Sequence, residues 1–116
     1  MKTYPTSKFY TFDQNNPGGS FDRDDDVSEY VIIEALDADD ANSRARAVGI
    51  YFNGCEDEVD CRCCGDRWSE VREKDGHDTP MIYDKPASAY EPYIGDKGQI
   101  FCVVHYMDGR RVQLQA

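Results

Sequence analysis

The sequence lacks a long apolar run and an apolar segment near its start. No stretch approaches the roughly 20 apolar residues that a membrane span requires, and residues 1–16 contain no apolar core of a secretory signal. We therefore expect a protein that stays in the cytoplasm of the cell that makes it and that has no membrane partner.

Basic residues are also few. The chain carries 13 Lys and Arg against 23 Asp and Glu, which gives a formal net charge of -10 at pH 7. Because nucleic-acid binding depends mainly on Lys and Arg contacts to phosphate, direct binding of DNA or RNA is not expected. The surplus carboxylates could keep the protein dissolved, attract a basic partner, or imitate the phosphates that a DNA-binding protein recognises.

The familiar catalytic and ion-binding motifs are missing. The chain has no P-loop, nucleophile elbow, H-E-x-x-H or G-x-G-x-x-G. The acidic run at 22–26 lacks the spacing of a calcium loop, because Val27 stands where an EF-hand requires glycine. A second acidic run at 56–60 is interpreted as a charged face. Nothing in the sequence argues for catalysis, although missing motifs do not exclude it.

What the chain does contain is enough apolar sequence for one core. Of its 116 residues, 40% are hydrophobic and 12% are aromatic, and at this size roughly two-thirds of the unfolded surface can be buried. We expect a single domain over residues 1–116. Aromatic and β-branched runs predict strands at 8–12, 29–35 and 81–83, and the acidic cap before Ala38 predicts a helix from about Ala38 to about Val48.

The C-terminal part predicts a β-hairpin. Asp108-Gly109 is suited to a two-residue type I′ turn, which would place His105 opposite Val112 and leave Cys102 on the wetter face. The expected architecture is α+β, with a small antiparallel sheet of four or five strands, one main helix, a cysteine-rich loop and this hairpin. Its open edge would suit a symmetric homodimer.

The cysteines cluster in one loop. Four of the five lie between Cys55 and Cys64, which does not resemble the evenly spaced framework of a secreted disulfide protein. A C-x-x-C followed by glycine provides two thiolates for a tetrahedral zinc, and a closed site needs two more ligands. The predicted zinc ligands are Cys61, Cys63, Cys64 and His77, with Cys55, Cys102 and His105 as further candidates. The alternative is a set of reduced cysteines packed as small apolar side chains.

Cys102 and His105 have the C-x-x-H spacing but are not expected to share a metal. Residues three apart in a regular strand point to opposite faces. A histidine between apolar strand positions is more simply explained as a hydrogen-bonded core residue.

The run from Gly65 to Trp68 combines a carboxylate, a guanidinium and the only tryptophan. Such groups recognise phosphate or carboxylate and stack on flat rings. The predicted ligand-binding residues are Tyr51, Asn53, Asp66, Arg67 and Trp68. The alternative is an ion pair of Arg67 with a neighbouring carboxylate and a tryptophan in the core.

The segment Asp60-Cys61-Arg62-Cys63-Cys64-Gly65-Asp66-Arg67-Trp68 resembles a motif of a family of small uncharacterised proteins from tailed bacteriophages. This resemblance implies a phage origin and expression in the cytoplasm of an infected bacterium. It also implies that a cysteine at the place of Cys55 is not required. Small acidic phage proteins outside the virion often act on the host, so the resemblance favours a role against host defence.

Three functions follow as hypotheses. The first is a non-enzymatic phage accessory protein that sequesters a nucleotide-like small molecule of the host through the loop from Tyr51 to Trp68. The second is an acidic inhibitor of a host protein that imitates nucleic acid or covers a basic patch. The third is a small phosphodiesterase-like enzyme, for which His77 and His105 would have to meet in one pocket.

Overall fold

The computed structural model describes residues 6–15, 21–60, 65–91 and 98–115. In chain order, its strands and helix are β1 (Lys8–Asp13), β2 (Tyr30–Ala35), α1 (Ala38–Ala47), β3 (Gly76–His77), β4 (Met81–Ile82), β5 (Lys85–Pro86), β6 (Ile100–His105) and β7 (Arg111–Gln115). Single turns of 3₁₀-helix at Glu73–Asp75 and Ala87–Ala89 flank the short strands.

Five strands form one mixed sheet in the order β3-β1-β2-β6-β7, and β4 with β5 forms a small second sheet. This confirms the α+β class, the number of strands, the single main helix and the C-terminal hairpin. The pairing of β2 with β6 is parallel, so the sheet is not wholly antiparallel. A parallel pair needs a crossover of a dozen or more residues. The chain between β2 and β6, which begins with α1, supplies this crossover.

Strand β2 lies in the middle of the sheet and is buried on both faces. Val31 and Ile33 face α1 and pack in a core with Trp68, Ala41 and Ala45. The side chains of the opposite face belong to a second core, made of Tyr30, Ile32, Ile82, Ala87, Phe101, Cys102 and Val104. A strand covered on both sides reads as a continuous apolar run, which is why Tyr30-Val31-Ile32-Ile33 shows no polar alternation.

Helix α1 begins and ends where the local signals predict. The Asp37 side chain accepts a hydrogen bond from the Asp40 backbone N–H and caps the first turn. Ala41 and Ala45 are fully buried against the sheet, because only small side chains let the helix lie this close to β2. The ten-residue helix is too short to span a bilayer, and no other helix of the described residues could do so.

The turn between β6 and β7 differs from the prediction. The Tyr106 N–H donates to the Arg110 carbonyl, so the loop has three residues, 107–109. Within residues 107–109 only Gly109 has a positive φ, of 93°, whereas a type I′ turn needs two residues with positive φ. The predicted two-residue turn and its register are therefore wrong by one position, and His105 pairs with Arg111.

The face of β6 that carries Cys102 was predicted to be the wetter one, and this prediction is also wrong. Cys102 is fully buried in the second core, where Ile82 and Ala87 cover it. The cover comes from the segment around β4 and β5, which has no strong periodicity in the sequence.

We predict that Asp108→Gly lowers the free energy of unfolding by about 1 kcal/mol. In the three-residue loop the Asp108 carboxylate accepts from the Arg110 N–H, and glycine would lose this bond and add freedom to the unfolded chain. Urea denaturation measures the change, with Asp108→Asn as a control that keeps an acceptor. A type I′ turn would give the opposite result, because glycine there would relieve a positive φ.

Candidate functional site

Arg67 lies at the centre of a polar network that connects distant parts of the chain. Its Nη1 donates to Gln14 Oε1 at 2.8 Å, and its Nε donates to the Tyr51 hydroxyl at 3.2 Å. The same Nε lies 3.3 Å from Asp22 Oδ2. The side chain is 12% exposed, so this guanidinium is surrounded and neutralised by the protein itself.

Asp60 is the second charge in the network, and its side chain is only 3% exposed. Its Oδ1 accepts from the Tyr51 hydroxyl and its Oδ2 from the Arg67 backbone N–H, both at 2.8 Å. Its Oδ1 also lies 4.0 Å from Arg67 Nε. A buried carboxylate is tolerated only when hydrogen bonds and a nearby cation compensate its lost hydration, and Asp60 has both.

Tyr51 connects the two charges as a donor and an acceptor. Burial and the hydrogen bond to Asp60 raise the pKa of the Tyr51 hydroxyl, although Arg67 acts in the opposite direction. The hydroxyl therefore keeps its proton and continues to donate to Asp60 at neutral pH.

Gly54 allows the turn at 54–60 to close over this carboxylate. A Cβ atom at Gly54 would lie 1.9 Å from Asp60 Oδ2 and 2.8 Å from Tyr51 Cε2. The Gly54 carbonyl accepts from the backbone N–H groups of Val59 and Asp60. Only glycine fits this close approach of backbone and side chain.

The chain is fixed on both sides of the segment 61–64, at Asp60 and at Asp66. Asp60 is held as described, and on the other side the Asp66 carboxylate accepts from the Cys55 N–H at 2.9 Å. The Asn15 side chain also donates to the Asp66 carbonyl. Side-chain hydrogen bonds thus join Cys55 to Asp66 and Asp60 to Arg67.

The structure brings only some of the predicted ligand-binding residues together. Tyr51 and Arg67 are in contact, and Asp66 bonds to a backbone N–H. Asn53 is exposed in a left-handed conformation, with a φ of 60°. Trp68 is 2% exposed and packs in the core under α1, so neither face of its ring is open to a ligand. This arrangement matches the alternative interpretation, in which Arg67 pairs with carboxylates and Trp68 belongs to the core.

Sequence reasoning missed several members of the network. Asp60 was interpreted as part of a charged face at 56–60, but it is buried and holds the network together. Its place in the motif next to the cysteines could have indicated this. Gln14 and Asp22 carry no local signal, because their roles depend on contact with a residue more than forty positions away in the sequence.

The predicted zinc site lies mostly outside the described residues, since Cys61, Cys63 and Cys64 are not among them. The fourth predicted ligand, His77, pairs with Phe9 at the start of β1. The backbone N–H of Asn15 donates to the Arg67 carbonyl, and at the rise per residue of a strand Asn15 lies roughly 20 Å from Phe9. His77 is therefore far from the part of the chain that follows the cysteines. Within the described part of the chain, no group of three or more potential metal ligands occurs.

The two histidines do not share a pocket. His77 in β3 and His105 in β6 are separated by two strands, or roughly 14 Å at the usual strand spacing. The registers also place them on opposite faces, because His77 aligns with Phe9 and His105 with Ile33. His105 forms a 2.7 Å hydrogen bond to the Asp26 carbonyl. The phosphodiesterase hypothesis requires His77 and His105 in one pocket, and this fold places them on opposite faces of the sheet.

Comparison with known proteins identifies one family. A family model described as a domain of unknown function, DUF7296, matches residues 7–115. No curated protein and no solved structure matches the chain.

We predict that Gly54→Ala lowers the free energy of unfolding by about 2 kcal/mol, because the added methyl group must displace the buried Asp60 carboxylate. Denaturation of Gly54→Ala, Asp60→Ala and the double variant forms a cycle. The alanine at 54 should cost less once the carboxylate is gone, with a coupling of about 1 kcal/mol. Fully additive effects would contradict the close contact.

We also retain the zinc prediction. Protein purified without added zinc should contain about one zinc per chain by elemental analysis, and Cys61→Ser and Cys64→Ser should lose it. Cys102→Ser is the matched control, because burial raises the pKa of the Cys102 thiol to about 12 and keeps it protonated. Metal-free wild-type protein would exclude the structural zinc.

Proposed function

Because the chain belongs to the DUF7296 family, whose function is unknown, we propose a function from its charge and its buried network. The protein is a non-enzymatic accessory protein of a tailed bacteriophage that binds a basic surface of a host protein in the bacterial cytoplasm. The phage origin rests on the resemblance carried by the motif from Asp60 to Trp68. The kind of partner rests on the distribution of charge.

The observation that carries the proposal is that one arginine holds two acidic turns together. Asp22 and Asp60 contact the same Arg67 guanidinium from two separate parts of the chain. The turn that follows Asp22 exposes Asp24 and Asp25, and the turn before Asp60 exposes three consecutive carboxylates at 56–58. The two turns therefore meet at one guanidinium. Asp24 and Asp25 also lie near Arg111 of β7, so the negative field is strongest at the exposed carboxylates 56–58.

The basic side chains do little to offset this charge outside the protein. The described Lys and Arg residues in ion pairs with carboxylates are Lys8, Arg23, Arg44, Arg46, Arg67, Arg110 and Arg111. Because these cations are neutralised locally, the surplus of the net charge of -10 remains on exposed carboxylates. A field of one sign increases the rate of encounter with a basic partner.

The acidic turn also offers an apolar contact. Val59 is 65% exposed and directly follows Glu56-Asp57-Glu58. An apolar side chain with a charged rim is the usual arrangement at the centre of a protein interface. Attraction of small counter-ions requires no exposed apolar side chain, so the exposure of Val59 supports a protein partner.

The same network weakens the case for a nucleotide-like ligand in the loop from Tyr51 to Trp68. An anion at Arg67 would have to displace Gln14 and Asp22, and Trp68 has no open ring face. It would also approach a strongly acidic part of the protein. We therefore place the protein-directed role first and keep sequestration of a nucleotide-like molecule as the alternative to be tested beside it.

We predict that neutralising the acidic turn weakens capture of a host protein roughly tenfold at low salt. The test variant is Glu56→Gln with Asp57→Asn and Glu58→Gln, used in a pull-down from bacterial lysate followed by identification and purified binding. The matched control removes the same charge elsewhere, through Asp39→Asn, Glu70→Gln and Glu91→Gln. Equal loss in both variants, or no partner whose capture falls with salt, would refute the proposal.

Thermal unfolding with nucleotides tests the alternative in the same material. Under the protein-directed proposal, no mono-, di- or cyclic nucleotide raises the midpoint of unfolding. A ligand present at 100 times its Kd stabilises the folded state by about 2.7 kcal/mol. A nucleotide that produces such a shift would support sequestration instead.

A further inference from the structure

A cavity of about 360 Å³ lies on the sheet face opposite to α1, away from the Arg67 network. Its walls come from the end of β1, the 3₁₀ turn with β3, and the hairpin of β4 and β5. The hairpin is fixed over β1 because the Thr11 hydroxyl donates to the Met81 carbonyl at 2.5 Å. This volume is at the lower end of small-molecule sites, so the cavity suits a small group rather than a large cofactor.

Tyr83 occupies an unusual position at the rim of this cavity. It is the first residue of the two-residue turn between β4 and β5, where it has a φ of 54°. A bulky side chain is strained in this left-handed region, which favours glycine. The residue is nevertheless 64% exposed. The turn directs the Tyr83 side chain toward Tyr30 and Asp13 at the mouth of the cavity, and such backbone strain is concentrated at functional sites.

The tyrosine rings at this rim form an angled aromatic surface. Tyr83 meets Tyr30 edge to face, with ring centroids 6.1 Å apart and an angle of 82° between the planes. Tyr30 is held in turn by Tyr90, whose hydroxyl lies 3.1 Å from its own. The electron-rich faces of such rings attract organic cations.

The charged groups around the rings are mostly carboxylates. Asp13, Asp75 and Asp84 line the cavity together with two basic residues, Lys74 and His77. Asp13 Oδ2 accepts from the Tyr83 hydroxyl at 3.1 Å, and no Lys or Arg of the described residues forms an ion pair with Asp13. Asp13 is exposed at the end of β1, and partial desolvation raises the pKa of its carboxyl while the hydrogen bond from Tyr83 lowers it. A cation that enters the cavity would therefore meet an accessible carboxylate without a basic partner among the described residues.

We propose that this cavity binds an organic cation, a guanidinium or ammonium group on a short alkyl chain, between the ring of Tyr83 and the carboxylate of Asp13. The alkyl chain contacts Met81 and the ring of Tyr30, and Asp84 faces the entering charge. Two sources carry this chemistry, a free alkylamine and an Arg or Lys side chain of a protein. The inference does not depend on the acidic turns, which lie beside Arg67 on a different part of the molecule.

The test follows backbone amide resonances of the full chain by NMR during titration with agmatine and with an acetylated Gly-Arg-Gly peptide. A neutral alkyl amide of similar length is the control ligand. Both cationic probes, or one of them, should shift the resonances of the β4–β5 turn and of Asp13. Binding of agmatine alone assigns the site to a free amine, and equal binding of the peptide assigns it to a protein side chain.

Four variants test the mechanism. Asp13→Asn and Tyr83→Ala should each weaken binding at least about fivefold, whereas Tyr83→Phe keeps the ring and should stay within about twofold. Asp39→Asn removes an equal charge from the first turn of α1 and should have almost no effect. The proposal is wrong if Asp13→Asn and Asp39→Asn weaken binding equally, if Tyr83→Ala binds normally while folded, or if neither cation shifts these resonances.

Discussion

The contact between Asp60 and Arg67 is the constraint on which the segment from Tyr51 to Trp68 depends. Neither charge is fully hydrated, so each must be compensated inside the protein, and removing Arg67 would leave the Asp60 carboxylate buried without a cation. This requirement accounts for the hydroxyl of Tyr51 and for the absence of a side chain at Gly54. It also accounts for the position of Gln14, which brings the end of β1 to the guanidinium. A region with little regular secondary structure thus obtains a defined geometry from electrostatics.

The same constraint gives the motif from Asp60 to Trp68 a physical meaning. Asp60 supplies the buried charge, Gly65 takes a positive φ of 87°, Asp66 satisfies the Cys55 N–H, and Trp68 fills the core. At each of these four residues the fold itself, through a contact or a backbone angle, restricts which amino acid can be used. A dense and specific motif therefore need not mark a binding site, and in this chain its described residues are explained by folding. The chemistry of the cysteines between Asp60 and Gly65 is a separate question, which metal analysis answers.

The parts of the fold that follow from local sequence were predictable. Helix α1 has its cap, its small buried side chains and its terminal glycine within one short stretch, and its predicted bounds are confirmed. The hairpin was predicted as an element but not in register, because the difference between a two-residue and a three-residue loop depends on the φ of one residue, Asp108. The parallel pairing of β2 with β6 and the partners of Arg67 are contacts between distant residues. No local pattern specifies such contacts, so sequence reasoning could place the residues of the site but not their partners.

The placement of charge shows how an acidic chain of this size remains stable. Two acidic turns brought side by side repel each other, and a net charge far from zero opposes a compact state. A cation between them removes this repulsion only if it is close to both, and Arg67 meets that condition by contacting Asp22 and Asp60 at once. Burying the arginine strengthens its hold on the turns while the carboxylates at 56–58 remain exposed. A lysine could not replace it, because an ammonium lacks the planar, extended set of donors with which Arg67 reaches Gln14, Tyr51 and Asp22 at once. The buried guanidinium is thus what allows two acidic turns to lie together in a protein that remains folded.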